Sequence, residues 1–489
     1  MSGDATDDRS GDATDDGDGD AGAEAGRRAG GVDPDGRSED AAPAGFEGGL
    51  PPGADPDGVR RPGADVEAAD LRPGADSCYK CSTCDTSCPV AAVDDDFPGP
   101  KFQGPEQWRL SRDGSAVDGS VMDCSNCMRC DAACPADVPL SRMHNTLRGR
   151  YVREEMSRLS REYWRNRLLA NYGRLAPLGS ALPRLANAAL GNRVVQAVTE
   201  KLLGITAERS FPEFATETFR SWWDERGGAA ASARRAAERR SDGTEEEKRV
   251  AYFHGDYANH NTPAVARALV GVFERYGYEV VVPEQRCSGT PMFANGMLGD
   301  ARRAARFNVE TFADLVERGY DVVCSCTSCS MALRQEYPEL FDFPGTAAVA
   351  ANTYEALEYL RIHEDLDGDL ADAAVDLPDL AYHAPCHARN QGLGRQAVEL
   401  FRDLDGAAVT DVGDSCSGIS GTYGWKAEKY DASMAVGEEM FEEMRAAPGD
   451  AGLTECPTCA MQMTHGTGYE VRHPLEVVAE ALDATPDAA

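Results

Sequence analysis

Two cysteine strings of identical spacing are the residues best suited to chemistry. They are Cys78-x2-Cys81-x2-Cys84-x3-Cys88-Pro89 and Cys124-x2-Cys127-x2-Cys130-x3-Cys134-Pro135. Bacterial-type ferredoxins hold two [4Fe-4S] clusters with this spacing, and the fourth cysteine of each string ligates the other cluster. Zinc sites usually take their four ligands from two pairs, which a repeated fourfold string does not match. The predicted ligand sets are Cys78, Cys81, Cys84 and Cys134 for one cluster, and Cys124, Cys127, Cys130 and Cys88 for the other.

The remaining cysteines form two groups later in the chain. Cys386, Cys416, Cys456 and Cys459 provide four thiols, enough for a third metal centre that is either a [4Fe-4S] cluster or zinc. An earlier group is the weaker candidate for a fourth centre, because its fourth ligand would be Cys324 or an oxygen of Asp256, and oxygen ligands suit zinc better than iron–sulfur clusters. Buried thiols without a metal are the alternative there. The three cysteines of this earlier group are Cys287, Cys326 and Cys329.

Three histidines lie close to these cysteines in sequence. His383 and His387 flank Cys386, and His254 precedes Asp256 by two residues. Each could donate to a cluster or relay a proton beside a quinone, but nothing in the spacing requires this. We therefore expect structural histidines whose hydrogen bonds are satisfied.

Short apolar runs place the later cysteines just beyond strand ends, in two similar halves. The predicted strands are 250–254, 278–283 and 320–323 in the first half, and 380–383 and 407–412 in the second. Helices are predicted at 262–276, with Thr262 as the cap, and at 394–404. In open α/β sheets, ligands bind beyond the carboxyl ends of the strands, so this arrangement favours ligand sites at the cysteines.

Length, charge and cysteine content limit the function classes. The chain has 489 residues, enough for about three domains, and a formal net charge of −34. Such a surface repels phosphate, which argues against a nucleic acid partner, and it suits a halophilic, salt-rich cytoplasm. The 16 cysteines occur in motif spacings within a large chain, which favours metal binding in a reducing compartment.

We predict a multidomain α+β protein. Residues 1–76 are acidic and poor in large apolar side chains, which predicts a disordered tail. A helical two-cluster ferredoxin domain is predicted at 77–145, and within it Gly104–Arg109 is a turn leading into a helix. A basic helical connecting region follows at 146–248 and ends in a helical linker at 226–248. Two α/β cysteine-rich domains follow at 249–375 and 376–489.

The connecting region carries an unusual charge for this chain. Residues 148–201 are rich in arginine, and Tyr163, Trp164, Leu168 and Leu169 supply apolar anchors. Such a segment suits an anionic membrane surface or an acidic partner protein, and an ordinary solvated helix face is the alternative. No stretch has the ~18–20 apolar residues of a membrane-spanning helix.

The two later cysteine groups resemble the cysteine-rich CCG domain. This domain occurs in iron–sulfur subunits of heterodisulfide reductases, of lactate and glycolate oxidases, and of anaerobic glycerol-3-phosphate dehydrogenases. Where these families usually have paired or leading cysteines, this chain has Ser288, Ser417 and Asp256, which argues against a noncubane cluster needing five thiolates. The segments most similar to the C-subunit family of the anaerobic glycerol-3-phosphate dehydrogenases are Tyr252–Asn261, Gly289–Gly296, Gly418–Gly424 and His473–Ala481.

The resemblance implies an electron-transfer subunit that is not itself catalytic. A partner flavoprotein would oxidise sn-glycerol 3-phosphate to dihydroxyacetone phosphate, and this chain would relay the electrons to a membrane quinone. The expected location is the cytoplasmic face of the membrane, as a peripheral protein, with or without a further membrane-anchoring subunit. The sequence contains no dinucleotide-binding glycine motif, P-loop or Ser/His/Asp signature. The alternatives are the iron–sulfur subunit of a lactate or glycolate oxidising complex, a heterodisulfide reductase-like subunit, and a zinc protein without a redox role.

Overall fold

The computed structural model describes residues 74–240 and 247–485. The predicted acidic tail therefore lies outside the described residues as far as residue 73. Its last part differs from the prediction, because Ala75–Ser77 form a 3-10 turn in which Ala75 is fully buried. The guanidinium of Arg109 donates hydrogen bonds to the carbonyls of Ala75 and Cys78. This turn therefore belongs to the first cysteine region.

Short helices and loops build the first cysteine region. Residues 100–112 form one continuous helix that contains a π turn at Phe102–Glu106, so the predicted turn at Gly104–Arg109 was wrong. Pro105 lacks an N–H for the helical ladder, and the π turn accommodates it. A 3-10 turn covers Gly119–Asp123. The α-helices are α1 (Thr83–Thr86), α2 (Gln107–Arg112), α3 (Arg129–Ala133) and α4 (Leu140–Glu154).

Six helices connect this region to the α/β part. They are α5 (Arg161–Ala170), α6 (Tyr172–Ala181), α7 (Pro183–Leu190), α8 (Arg193–Leu203), α9 (Phe219–Glu225) and α10 (Gly228–Arg239). Neither α7 nor α8 buries a residue, whereas α9 buries Phe219, Trp222 and Trp223. Among the described residues, no helix is both long and apolar enough to cross a bilayer.

The remainder forms two four-stranded parallel sheets with the same strand order. The first has the order β2-β1-β3-β4 and the second β6-β5-β7-β8. The strands are β1 (Arg249–Phe253), β2 (Glu279–Val281), β3 (Asp321–Cys324), β4 (Thr353–Glu355), β5 (Leu380–Tyr382), β6 (Val409–Asp411), β7 (Ala451–Leu453) and β8 (Glu470–Arg472). In each sheet the two central strands lead to outer strands on opposite sides: β1 to β2 and β3 to β4 in the first, β5 to β6 and β7 to β8 in the second. The place between such central strands is the topological switch point, where doubly wound sheets bind their ligands.

Helices cover both sheets. Around the first sheet are α11 (Gly255–His260), α12 (Pro263–Arg275), α13 (Thr290–Ala294), α14 (Leu298–Glu317), α15 (Thr327–Met331), a π turn (Ala332–Glu336), α16 (Tyr337–Leu340), α17 (Thr346–Ala351), α18 (Ala356–His363) and α19 (Leu366–Ala371). Around the second are α20 (Cys386–Asn390), α21 (Gln396–Leu400), two 3-10 turns (Tyr423–Trp425 and Ala427–Lys429), α22 (Tyr430–Ala446), α23 (Pro457–Thr467) and α24 (Pro474–Ala481).

Local predictions for this part were correct in type but not in every detail. All five predicted strands form, but Cys324 is the last residue of β3 rather than the first beyond it. The Thr262 hydroxyl does not cap α12, because it donates to the carbonyl of Tyr257 instead. The helix predicted at 394–404 is only the short α21.

The segment predicted as a helical linker at 226–248 is helical where it is described, but it is not a separate linker. Helix α10 packs on the first sheet, with Ala231, Ser232 and Ala236 buried. The N–H of Val280 in β2 donates to the Ser232 hydroxyl at 3.0 Å. Residues 241–246 lie outside the described residues. Helix α10 is therefore part of the wall of the first α/β domain.

Arg148 joins the first cysteine region to the first α/β domain. This residue of α4 is fully buried. Its guanidinium donates to the carbonyl oxygens of Cys124 and Phe293, at 3.1 Å each, and to the Asn145 side chain at 3.1 Å. A buried guanidinium is tolerated where its N–H groups have acceptors, so Arg148 fixes the cluster-binding loop against α13.

We expect Arg148→Met to lower the free energy of unfolding by about 2–4 kcal/mol, because buried carbonyls lose their donors. Arg150→Met on the same helix is the matched control, since Arg150 forms an i,i+4 pair with Glu154 at 2.7 Å, and its replacement should cost about 0.5 kcal/mol or less. Denaturant unfolding of the cluster-loaded proteins measures both. Equal destabilisation would contradict the role assigned to Arg148.

Candidate iron–sulfur centres and the cavity between the sheets

The two cysteine strings adopt the same unusual backbone. Lys80 and Ser82 in the first string have φ of 62° and 66°, and Asn126 and Met128 in the second have φ of 58° and 59°. Left-handed backbone is uncommon for residues other than glycine and persists where the surroundings hold it. It turns amides towards the thiols, as where the N–H of Asn126 donates to Cys124 Sγ at 3.4 Å. Each string therefore forms a loop shaped to surround a cluster.

The fourth cysteine of each string lies beside the other string. Burial, together with the nearby Asp85, Cys78 and Cys134, raises the pKa of Cys84 to about 12. Burial also raises the pKa of Cys88 to about 12, with Cys127 and Cys124 as its neighbours. Metal ligation requires thiolates, and a bound metal supplies the charge that stabilises them in a buried site. The donors thus fit two clusters with exchanged fourth ligands, and Cys81 is the exposed member.

A continuous series of thiols leads from the second loop into both α/β domains. Cys127 packs against Cys416, whose thiol lowers the pKa of Cys127. Further on, Cys456 lies beside Cys459 of its own domain and beside Cys326 of the first α/β domain, and both thiols lower the pKa of Cys456. In order, the series runs through Cys127, Cys416, Cys386, Cys459, Cys456, Cys326, Cys329 and Cys287.

The structure brings together the cysteines of each predicted later group. Cys416 contacts Cys386, and Cys459 contacts Cys456. In the earlier group Cys287 lies beside Asp256 and Cys329. Within residues 74–240 and 247–485, no three Cys, His, Asp or Glu side chains are close enough to hold a single metal ion. A cubane spreads its ligands around four irons and needs a wider arrangement than a single ion does.

Two serines occupy matching places in the two halves. Ser288 Oγ lies 3.4 Å from Cys329 Sγ, and Ser417 Oγ lies 3.3 Å from Cys459 Sγ. In each half the serine contacts the last cysteine of the group. Hydroxyls therefore stand where the resemblance led us to expect a second thiol, and they act as hydrogen-bond partners of the remaining thiols.

The histidines differ from the prediction of satisfied structural residues. His387 Nδ1 pairs with the Ser328 hydroxyl at 2.9 Å. His254 Nδ1 donates to the carbonyl of Gly255 at 2.6 Å, but its Nε2 has no partner in the described part of the chain. His383 is fully buried, and neither ring nitrogen finds a partner among the described residues. For His383 the prediction was wrong.

Two further histidines were missed by the sequence reasoning. His473 Nε2 donates to the Ser325 carbonyl at 2.8 Å, and the N–H of Leu475 donates to His473 Nδ1, so this ring ties the second α/β domain to the first. Its position immediately before Pro474, where it caps α24, is a sequence pattern that could have identified it. His144 Nδ1 lies 3.6 Å from Cys124 Sγ, and its Nε2 donates to the Pro100 carbonyl. No motif marks His144.

Polar contacts hold the second cysteine loop against the second sheet. The Asn390 amide donates to the carbonyl of Cys127 at 3.2 Å, and Arg129 pairs with Asp414 at 3.1 Å. Both contacts flank the meeting point of Cys127 and Cys416. They set the distance between the first cysteine region and the second α/β domain.

A cavity of about 1140 Å³ lies between the two sheets and helices α5–α7. Its lining includes thiols of both α/β domains, among them Cys287, Cys326 and Cys456. The opposite wall is apolar and includes Leu169, Leu175 and Phe214 on or near these helices. The thiol series therefore ends beside a space large enough for an organic molecule.

Comparison with known proteins agrees with this architecture. Residues 74–138 match the family described as a 4Fe-4S dicluster domain, and residues 250–334 and 380–464 each match the cysteine-rich domain CCG. The chain is 31% identical over 411 residues to the C subunit of anaerobic glycerol-3-phosphate dehydrogenase from Escherichia coli strain K12, covering 83% of this chain and 98% of that protein. The chain belongs to this C-subunit family.

Other relatives of the family share parts of the layout. The B subunit of fumarate reductase (CoM/CoB) from Methanothermobacter marburgensis is 24% identical over 79% of this chain and 67% of its own length. Lactate utilization protein A of an Exiguobacterium species is 29% identical over 45% of this chain and 91% of its own length. Of these three relatives, only the dehydrogenase C subunit matches most of this chain at nearly its own full length.

We expect His144→Phe to make the reduction potential of the nearby cluster more negative, on the order of 50 mV, because a hydrogen bond to a cluster sulfur is lost. Burial disfavours a charge on His144, but the nearby Cys124 thiolate outweighs this and raises its pKa. Redox titration followed by EPR measures the potential. His465→Phe is the control, because His465 bonds Tyr430 and not a cysteine, and it should leave both cluster potentials unchanged.

Proposed function

We propose that this chain is the iron–sulfur electron-transfer subunit of a membrane-associated glycerol-3-phosphate dehydrogenase and relays electrons from a partner flavoprotein to a quinone. The series of neighbouring cysteines from the ferredoxin-like loops to the cavity supports the proposal. A [4Fe-4S] cluster bound by such thiols accepts and releases one electron at a time. The relation to the dehydrogenase C subunit suggests sn-glycerol 3-phosphate as the substrate of the complex.

The positions of the cysteines suggest a direction for the relay. Cys81 and the neighbouring Tyr79, whose side chain is 62% exposed, place the first ligand set at the surface. The second ligand set contacts the α/β domains through Cys127 and Cys416. We therefore assign entry from the flavoprotein to the Cys81 loop and exit to the two α/β domains, with Cys386, Cys416, Cys456 and Cys459 as ligands of a third centre.

The connecting helices provide a membrane-facing surface, although not the one that charge alone predicted. Arg148 and Arg165 of the arginine-rich segment are buried, so they cannot meet a lipid surface. Helices α6–α8 instead expose a row of apolar side chains beside the exposed Arg184, Arg193 and Lys201. Apolar side chains flanked by cations suit the interface of an anionic bilayer. The strongly exposed apolar residues are Leu178, Leu182, Leu185, Val194 and Leu202.

Anaerobic purification of the full chain from native membranes should co-purify a flavoprotein, and glycerol 3-phosphate should then reduce the clusters. Their EPR signals would grow on adding this substrate, and lactate or glycolate would produce no change. Reduction by lactate or glycolate instead would favour the lactate-oxidising alternative. A preparation without iron would contradict the proposal altogether.

We expect the double substitution Leu185→Asp and Leu202→Asp to weaken binding to anionic phospholipid vesicles by about tenfold or more, because two apolar contacts become charged. Vesicle co-sedimentation of the cluster-loaded chain measures this. Ile362→Asp is the control, since Ile362 is 59% exposed on α18, away from these helices. Equal losses for both variants would argue against α6–α8 as the membrane surface.

A further inference from the structure

We propose that the cavity between the two sheets and helices α5–α7 binds the quinone, with the ring beside the thiols and the isoprenoid tail leaving between α6 and α7. This inference rests on the proposed function and locates its acceptor site. The proposed ligand is neutral and lipid-soluble, unlike a soluble disulfide or a dicarboxylate.

The cavity has two chemically different ends. Towards the sheets it is lined by thiols and by small hydroxyl side chains such as Ser288 and Ser417. Towards the helices it is lined by leucines, alanines and aromatic rings, including Ala186 and Leu190 of α7. A ligand that fills it must be polar and redox-active at one end and hydrocarbon at the other. A quinone with an isoprenoid tail has both properties.

The hydrocarbon end continues to the protein surface. Leu175 and Leu178 line the cavity and are also 42% and 73% exposed. The same helices present the apolar surface assigned above to the membrane. A lipid-soluble molecule could thus pass from the bilayer into the cavity without crossing water, which would be costly for its tail.

The charges of the lining argue against an anionic soluble substrate. Arg472 is the only arginine or lysine among the described residues that line the cavity, and it is paired with Glu480 at 2.7 Å. The same lining contains the carboxyl groups of Asp256, Glu470 and Glu476. Anionic substrates are commonly bound by arginine clusters, and no such cluster lines this cavity, so its side-chain charges favour an uncharged head group.

Two buried polar atoms in the lining have no partner in the described part of the chain. His254 donates through Nδ1, which leaves Nε2 as an acceptor, and Nε2 is unpaired. The Thr454 hydroxyl, 2% exposed as a residue, is also unpaired. A buried polar group without a partner costs free energy, and a ligand with carbonyl or hydroxyl groups offers such partners. Thr454 can donate to a quinone carbonyl, and His254 Nε2 can accept from a quinol hydroxyl.

The redox balance requires no further reactant. Quinone reduction takes two electrons, which would come from glycerol 3-phosphate through the flavoprotein and then one at a time through the clusters that the cysteines would hold. It also takes two protons, which come from water and end on the two former carbonyl oxygens. The product is a neutral quinol, which the same apolar exit can release to the bilayer.

Photo-crosslinking with an azido-naphthoquinone tests the site on the full, cluster-loaded chain. Mass spectrometry should find the label on peptides of α5–α7 or on residues 254–265. Ala186→Trp should reduce labelling by about tenfold, because the indole fills the hydrocarbon end. Ala188→Trp, on the exposed side of the same helix and outside the lining, should be labelled like the unaltered chain.

His254→Phe tests the polar end of the cavity. In this variant unlabelled menadione should compete with the label about fivefold to tenfold less well, the effect of one lost hydrogen bond.

The outcomes separate this inference from the proposed function. Label on peptides remote from the cavity, or full labelling of Ala186→Trp, would overturn the assigned site, even if the complex still reduced quinone with glycerol 3-phosphate. Displacement of the label by oxidised glutathione as effectively as by menadione would also overturn it. Cavity labelling that is lost in Ala186→Trp and kept in Ala188→Trp would support the site, even if another substrate proved to reduce the flavoprotein.

Discussion

The arrangement depends on burying many thiols at one junction, where Cys127 of the second ferredoxin-like loop meets Cys416 of the second α/β domain. A buried thiolate without a counter-charge is unfavourable, and burial is the largest cause of the raised pKa of Cys84, Cys88, Cys130 and Cys324. A metal cluster removes that penalty by bonding to the sulfur. The polypeptide holds the cysteine loops in place through hydrogen bonds, such as the one that the Asn390 side chain donates to the Cys127 carbonyl.

The duplicated sheet explains how two distant cysteine groups can face each other. Each half places its ligands at the carboxyl ends of the central strands, where the crossovers diverge. Because the halves pack with these ends together, Cys456 of one half reaches Cys326 of the other. The His473 ring holds that contact by bonding the Ser325 carbonyl. The duplication therefore produces one shared space at the domain boundary rather than two separate clefts.

The negative charge of the chain and its exposed apolar helices have different roles. A net charge of −34 gives the chain a field that repels phosphate groups. Helices α7 and α8 nevertheless bury none of their residues and keep leucines and valines exposed. Large exposed apolar patches on otherwise charged proteins mark interaction surfaces. Here the patch borders the cavity between the two sheets, and the two features fit a lipid-soluble ligand.

The sequence by itself determined the cysteine strings, the two α/β halves and the family resemblance, because ligand spacing and short apolar strands are local signals. It could not show that Arg148 and Arg165 are buried, that Pro105 lies inside a helix, or that α7 and α8 rather than Trp164 and Leu168 form the main apolar surface. Those features depend on which faces the helices turn towards their neighbours. Only the tertiary structure joined Cys127 to Cys416 and Cys326 to Cys456, because each contact links residues far apart in the chain, and no local pattern encodes the way the domains pack.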